Sequence, residues 1–269
     1  MTRLKYPLLM VHGMGFRDSK HINYWGRIPK KLEKAGCRIF YGDQDSNASV
    51  ETNADVLARR IEEILEETGA ERLNVFAHSK GGLDIRCAIA KHELGEKVAS
   101  VTTFSTPHHG SATVDKLMRL PDALVRFAGK CTDIVFRIIG DKNPDSYSVF
   151  RLFTTAEAEK FNERYPDQVG TYYRSYAFVM KWFLGDIFLW FPSLVVLLLD
   201  GENDGLLTPE SVKWGDFKGV IHSNSLRGIS HCDEVDMRRM RLTSRKGEGV
   251  SDITDFYAEV AMELAEMGF

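Results

Sequence analysis

The sequence lacks the features of a disulfide scaffold, a zinc site or a nucleic-acid-binding surface. Its four cysteines are scattered along 269 residues, and none lies in a CxxC or Cys/His cluster of the kind that binds zinc. Lys plus Arg total 35 against 38 for Asp plus Glu, so the net charge of −3 provides no global attraction to nucleic acid. We therefore expect isolated thiols and no nucleic-acid partner. The cysteines are Cys37, Cys87, Cys131 and Cys232.

A long uninterrupted apolar run and a secretory leader are also missing. The longest apolar stretch, Trp182 to Leu199, is interrupted by Gly185, Asp186 and Pro192 and falls short of the roughly 20 residues that a membrane span needs. The first residues show no basic segment followed by an apolar core and a cleavage site. We expect a cytoplasmic protein, although a longer secreted precursor would leave the same residues.

Apolar runs alternate with amphipathic segments through the first hundred residues. With 43% hydrophobic and 27% charged residues, the composition is typical of a globular protein. The alternation predicts βαβ units and a doubly wound, mostly parallel α/β sheet. The predicted strands are Leu8–Val11, Arg38–Tyr41, Leu73–Phe76 and Val98–Phe104, and the predicted helices are Glu51–Thr68, ended by Gly69, and Gly81–His92.

The alternation becomes less regular after Thr106. Residues 111–150 carry apolar clusters at helical spacing, and residues 180–199 form a second apolar segment. Because the sequence contains no linker or repeat, we expect a single domain over residues 1–269, with cap or lid segments at 111–150 and 180–199. Further predicted elements are a helix at Ala156–Tyr165, a strand at Tyr172–Val179 and a closing helix at Ser251–Met267.

The most informative motif is Ala77-His78-Ser79-Lys80-Gly81, at the end of a predicted strand. It matches a nucleophile elbow in which alanine replaces the first glycine of G-x-S-x-G. The residues two before and two after the serine must be small, because the strand and helix backbones pass close together there. The helix that follows would direct its free amides toward an oxyanion. We expect Ser79 to be a nucleophile; a serine that merely caps a helix is the alternative.

Further segments complete a set of residues for acyl transfer. Met14 follows His12-Gly13 after the first strand, where hydrolases with this elbow offer a backbone amide, so Met14 and Lys80 are the expected oxyanion donors. Asp204 lies in a glycine-bounded loop, and His231 follows downstream. The order serine, acid, histidine is that of α/β-hydrolases. We expect Ser79 to attack, His231 to carry the proton and Asp204 to orient the imidazole.

Alternatives exist at two of these positions. Asp200 could be the acid in place of Asp204, and His222 could be the base in place of His231. Three other histidines are expected to be structural or to support the reacting residues from outside, since side chains adjacent to an elbow serine point away from its attacking face. These are His78, His108 and His109.

Several runs together resemble bacterial triacylglycerol lipases of the α/β-hydrolase superfamily, over most of the chain and in the family's order. The resemblance implies hydrolysis of carboxylic esters through an acyl-enzyme, with the triad at Ser79, Asp204 and His231 and the oxyanion hole at Met14 and Lys80. The runs are Tyr6-Pro7-Leu8-Leu9, His12-Gly13-Met14, Tyr24-Trp25, Ile28-Pro29, Ala77 to Gly82, Ser105 to Ser111, Asn203 to Leu206 and His231 to Val235.

The resemblance also raises the question of calcium. In calcium-binding members of the family, an aspartate two residues after the catalytic histidine is a ligand, and Asp233 matches it. The later glutamine position is Met237 here, and a thioether is a poor ligand for a hard cation. The region that would supply the other acidic ligand holds the apolar stretch at 182–199. We expect no calcium site or a much weakened one, with Asp233 as a salt-bridge or turn residue, and no other cofactor.

The substrate expected from the resemblance is a fatty-acyl ester, taken up in an apolar pocket under the cap segments. A lipase is the main hypothesis; a short-chain esterase, an acyltransferase and a catalytically silent binding protein with the same fold are the alternatives. Contact of the cap with a lipid interface stays open, and the sequence indicates no obligate protein partner.

Overall fold

The sheet consists of six strands that pair in parallel. In this computed structural model, which describes residues 3–15, 23–245 and 247–269, the strand order is β2-β1-β3-β4-β5-β6. The strands are β1 Leu8–Val11, β2 Ile39–Tyr41, β3 Leu73–His78, β4 Val98–Phe104, β5 Tyr172–Phe178 and β6 Asp216–Ile221. The predicted doubly wound parallel sheet is therefore confirmed.

Four of the helices in the described residues have predicted bounds, and their ends shift by at most two residues. The helices are α1 Ile28–Lys34, α2 Val50–Thr68, α3 Lys80–Lys91, α4 Ala112–Leu117, α5 Asp122–Ile138, α6 Ser146–Leu152, α7 Thr155–Arg164, α8 Trp190–Leu199, α9 Pro209–Val212 and α10 Ile253–Glu266. Gly69 ends α2 in the left-handed conformation, with φ 64°, as expected for a helix C-cap. None of the helices described here is long and apolar enough to cross a membrane.

The alternating side chains of β1 divide between two apolar cores. Leu9 and Val11 pack with α2 and α3 on one face of the sheet, whereas Leu8 and Met10 pack with α1 and α10 on the other. Successive strand residues point to opposite faces, so a strand covered on both sides must be apolar throughout. The continuous run Leu8–Val11 is buried for that reason.

Among the helices and strands of the described chain, α1, α9 and β6 were not predicted. Helix α1 has only seven residues and begins next to Pro29, and it packs against α10 from the far end of the chain. Strand β6 lies at the edge of the sheet and mixes polar with apolar residues, so it lacks the apolar run that identifies a central strand.

The segment predicted as a cap folds into α4, α5 and α6, and α8 packs against α4. Helix α5 has 17 residues, of which only Gly129 and Phe136 are buried. Its apolar side chains are therefore largely exposed.

The junction between β3 and α3 is crowded by the end of β1. A Cβ atom at Gly81 would lie 2.4 Å from the carbonyl oxygen of His12 and 2.6 Å from that of Val11. Both contacts are to backbone, which cannot rotate away. Position 81 must therefore be glycine for α3 to begin where it does.

Gly81→Ala should lower the free energy of unfolding by about 2–3 kcal/mol, because the new methyl group overpacks this junction. The matched control is Gly69→Ala, where nothing lies within 4 Å of the new Cβ and only left-handed strain of about 1 kcal/mol is added. Urea unfolding of both variants measures the difference. Equal losses of stability would contradict the steric argument.

Candidate active site

Ser79 lies between β3 and α3 in a strained backbone conformation, with φ 52° and ψ −131°. Strain of this kind persists only where the surroundings enforce it. The Thr106 hydroxyl donates to the Ser79 carbonyl at 2.8 Å, and the N-terminus of α3 follows directly. The first amides of a helix have no partner within the helix, so this turn places free N–H groups next to the Ser79 side chain.

The loop after β1 approaches Ser79 closely. A Cβ atom at Gly13 would lie 2.8 Å from the Ser79 Cβ, and the next residue, Met14, lines the same cavity as Ser79. The side chain of Lys80 is fully buried and donates to Asp84 at 2.7 and 2.9 Å. The residues whose amides were predicted to hold an oxyanion, Met14 and Lys80, therefore both lie beside Ser79.

Asp204 and His231 form a direct hydrogen bond. Nδ1 of His231 lies 2.8 Å from Oδ2 of Asp204, and the His231 amide donates to the Asp204 carbonyl at 2.8 Å. The amides of Leu206 and Leu207 donate to Oδ1 of Asp204 at 2.9 and 2.8 Å. Burial alone would raise the pKa of Asp204, but the His231 charge and these hydrogen bonds outweigh it and lower the pKa to about 2. Asp204 is therefore ionised and faces the imidazole.

The alternative acid and base lie elsewhere. The Asp200 carboxylate accepts from the amide and the hydroxyl of Thr113, both at 2.7 Å, and so holds the start of α4. His222 is exposed and lines a separate surface groove with residues of α10. The structure brings Asp204 and His231 together and places Asp200 and His222 in other contacts.

A second buried carboxyl group, which the sequence did not single out, lies behind the imidazole. Glu234 is fully buried; its Oε1 accepts from Ser105 at 3.0 Å and lies 3.9 Å from Nδ1 of His231. Its Oε2 lies 3.1 Å from Nε2 of His78, whose Nδ1 is 2.7 Å from the Tyr24 hydroxyl. Tyr24 and Glu234 belong to runs that resemble the lipase family, but nothing in their spacing indicated this contact.

Burial, followed by the nearby Asp204 charge, raises the pKa of Glu234 well above its ordinary value of 4.5. Burial, followed by the charge on His231, lowers the pKa of His78 well below 6.5. His78 is therefore neutral at neutral pH, and Glu234 keeps its proton to a higher pH than an ordinary carboxyl group does, whereas Asp204 is ionised.

Ser79 and His231 open onto an apolar cavity of about 450 Å³. Apart from a few polar groups, its wall is aliphatic and aromatic and comes largely from α4, α5 and the loop after Asp204. The lining residues are Met14, Ser79, Pro107, Ser111, Val114, Leu117, Met118, Leu120, Leu124, Val125, Ala128, Phe150, Phe153, Leu206, Leu207 and His231. The cavity is therefore largely apolar, with Ser79 and His231 among its few polar residues.

Comparison with known proteins agrees with this arrangement. Residues 6–214 match the family described as alpha/beta hydrolase fold. The chain therefore belongs to the α/β-hydrolase family. Two solved structures show the same fold: the mature lipase of Bacillus licheniformis (TM-score 0.68, 23% identity, 97% of this chain and 92% of that one) and the lipase of Staphylococcus hyicus (TM-score 0.67, 18% identity, 98% and 96%).

Sequence relatives narrow the family further. Triacylglycerol lipase 2 of Saccharomyces cerevisiae is 31% identical over 275 residues, which cover 94% of this chain and 78% of the relative. The triacylglycerol lipase of Vibrio cholerae is 32% identical over 63% of this chain and 57% of its own length. Within the α/β-hydrolases, the chain thus belongs to the triacylglycerol lipase family. Its resemblance to these lipases is confirmed.

Glu234→Gln should become more stable than the unaltered chain as the pH rises above the ordinary pKa of a glutamate. Above the ordinary pKa of 4.5, the unfolded state releases a proton that the folded state retains, so stability falls as pH rises. The amide has no proton to release. We expect the Tm of the variant to rise relative to that of the unaltered protein between about pH 5 and pH 8. Each kcal/mol of difference in the free energy of unfolding should change the Tm by about 2–4 °C.

The control for this prediction is Glu259→Gln, because Glu259 is exposed on α10 and its substitution should leave the pH dependence of Tm unchanged. If the Tm difference between Glu234→Gln and the unaltered protein is the same at about pH 5 and about pH 8, Glu234 is ionised in the folded protein.

Proposed function

We propose that the protein is a lipase-like carboxylic ester hydrolase that cleaves fatty-acyl esters through an acyl-enzyme on Ser79. One observation carries the proposal: the Asp204–His231 hydrogen bond lies at the wall of an apolar cavity that also holds the strained elbow serine. Membership in the triacylglycerol lipase family supports it.

In the proposed mechanism, the Ser79 hydroxyl attacks the ester carbonyl carbon while His231 takes its proton. Asp204 holds the proton on Nδ1 of His231, so that Nε2 is the atom that accepts. The amides of Met14 and Lys80 donate to the tetrahedral oxyanion. His231 then protonates the departing alcohol, and the acyl group stays on Ser79.

Deacylation would use the same groups in reverse. A water molecule gives a proton to His231 and adds to the acyl carbon, and collapse of the second tetrahedral intermediate returns the proton to Ser79 and releases the fatty acid. An alcohol in place of the water would make the reaction an acyl transfer, so the choice between hydrolase and acyltransferase depends on which nucleophile enters the cavity.

The apolar cavity favours a long acyl chain over a short one. Its wall includes Leu120, Leu124 and Val125, which would remove a hydrocarbon chain from water at about 0.8 kcal/mol for each buried methylene. A short-chain esterase would gain little from a cavity of this extent. We therefore propose that residues 111–150, which supply much of this wall, act as the cap of an acyl-binding site, and that residues 180–199 support the cap through the packing of α8 on α4.

We further propose that the cap contacts a lipid surface. Large apolar side chains are exposed on α5 and before α8, among them Ile138 at 79% and Phe188 at 72%. Leu117, Leu120 and Leu124 are about half exposed and also line the cavity, so the exposed apolar surface is continuous with the acyl site. Apolar patches of this kind mark contact sites for lipid or protein.

Ser79→Ala should reduce hydrolysis of nitrophenyl esters by about 10⁴-fold or more, because no other group can form the acyl-enzyme. Asp204→Asn should cost about as much by disturbing the imidazole tautomer. Asp200→Asn is the matched control and should retain activity, since Asp200 contacts Thr113 rather than His231. Steady-state rates with esters of graded chain length test both mechanism and substrate.

The same assay distinguishes the alternative functions. Rates that rise with acyl length, together with hydrolysis of emulsified triglyceride, support a lipase. Activity confined to short acyl chains would identify an esterase instead. A folded protein whose Ser79 a fluorophosphonate probe does not label would be a catalytically silent member of the fold.

Ile138→Glu combined with Phe188→Glu should lower the rate on emulsified triglyceride by about tenfold or more, because each apolar side chain contributes about 1.5–3 kcal/mol when it leaves water. The rate on a soluble ester should stay within about twofold. Val169→Glu is the control: Val169 is 92% exposed, but it lies before the amino-terminal end of β5, whereas Ser79 follows the carboxyl end of β3 in the same parallel sheet. Equal losses on both substrates would argue against contact with a lipid surface.

A further inference from the structure

Two buried carboxylates and two arginines meet beside the segment that carries His231. One Nη atom of Arg238 lies 2.6 Å from Oδ2 of Asp186, and the other lies 3.4 Å from Oδ1 of Asp233. Nη1 of Arg227 lies 4.0 Å from Oδ2 of Asp233 and donates to the Gly185 carbonyl at 3.3 Å. We call these four residues the arginine clasp. None of them lines the acyl cavity.

The clasp holds the catalytic-histidine segment through Ser230. The Ser230 hydroxyl donates to Oδ2 of Asp186 at 2.6 Å, and the Ser230 amide donates to Oδ2 of Asp233 at 3.3 Å. The Asp233 amide in turn donates to the Ser230 hydroxyl at 3.1 Å. His231 therefore sits between two residues that the clasp fixes, while its own amide bonds to Asp204.

The other end of the clasp lies in the chain that follows β5. Asp186 directly follows the 3₁₀ turn Phe183–Gly185, and its Oδ1 accepts from the Phe188 amide at 2.9 Å. Arg238 thus connects the segment before α8 with the segment after His231. These two segments are separated by more than 40 residues in the sequence, and the carboxylates alone would repel each other.

The clasp occupies the place where the family resemblance puts calcium, and its residues do not fit that ion. Asp233 is the aspartate two residues after His231, but its carboxylate and that of Asp186 already face two guanidinium groups. The two positive charges balance the two negative ones, so a divalent cation would enter against like charge. The thioether of Met237 packs against the apolar core that contains Tyr257.

We infer that Arg238, with Arg227, takes the place of a divalent cation and positions the segment that carries His231. A guanidinium can bond two carboxylates at once from its planar fork, which a single ammonium cannot do in the same geometry. Arg238 is therefore a positioning residue that acts through Asp186, Asp233 and Ser230. The catalytic part of this inference rests on the proposed function, whereas the ion replacement does not.

Thermal unfolding tests the ion replacement without any ester. The Tm of the unaltered protein should be the same in excess chelator and in millimolar CaCl₂. Arg238→Ala leaves two buried carboxylates without their partner, so its Tm should fall, and CaCl₂ should raise it again because the carboxylates then resemble a cation site. Arg241→Ala is the matched control, since Arg241 is exposed and contacts only Ser251 among the hydrogen-bond partners described for it.

Several outcomes would overturn the inference. A fall in the Tm of the unaltered protein with chelator would show that an ion holds the site. The guanidinium does not stand in for a cation if Arg238→Ala has the same Tm as Arg241→Ala. The same holds if the Tm of Arg238→Ala is lowered but CaCl₂ does not raise it. If Arg238→Ala does not fold, Arg227→Ala is measured in the same way and should show smaller changes in the same direction.

Kinetics with a soluble nitrophenyl ester, measured well below the Tm of each variant, test the positioning role. In Arg238→Ala, kcat should fall by about 10- to 100-fold, while KM stays within about twofold. A loss of this size is typical when a group that orients a metal-binding side chain is removed. CaCl₂ should restore part of kcat. An unchanged kcat would overturn the positioning role. If the unaltered protein has no esterase activity, the proposed function is overturned, and the Tm measurements alone decide whether Arg238 replaces an ion.

Discussion

The arrangement of the candidate site depends on one steric constraint, the close passage of α3 across the end of β1. At Gly81 the helix backbone lies so near the carbonyls of Val11 and His12 that no side chain fits. Next to this contact, Ser79 has a positive φ of 52°, and the loop with Met14 lies against the elbow. The close packing that requires glycine at position 81 therefore brings the nucleophile candidate, Ser79, near the oxyanion candidates, Met14 and Lys80.

Electrostatic interactions then shift the pKa values of two neighbouring carboxyl groups in opposite directions. Asp204 accepts from His231 and from two backbone amides and remains ionised, with a pKa of about 2. Glu234 is equally buried, and this burial, followed by the nearby negative charge of Asp204, raises its pKa. Since two adjacent buried carboxylates would repel each other, the contact with His231, helped by the loop amides at 206 and 207, favours the charge on Asp204.

The sequence predicted the parts of the fold that depend on local pattern. The apolar run of β1, the small residues around Ser79 and the helical periodicity of the cap each follow from contacts within a few residues. Helix α1, strand β6 and the contacts of Glu234 depend instead on distant partners such as α10, β5 and His78. The arginine clasp could not be predicted either, because Arg238 and Asp186 show no relation in the linear order. The site roles, the cap boundaries and the cytoplasmic location stay predictions.

The exposed apolar residues of the cap also affect how the protein behaves in water. Helices α5 and α8 leave large aliphatic and aromatic side chains uncovered while the surrounding surface is polar. A surface of this kind favours any event that covers it, including adhesion between two identical chains. The same residues that we propose to contact lipid would therefore also favour self-association of the free protein, which a mild detergent should suppress in concentrated samples.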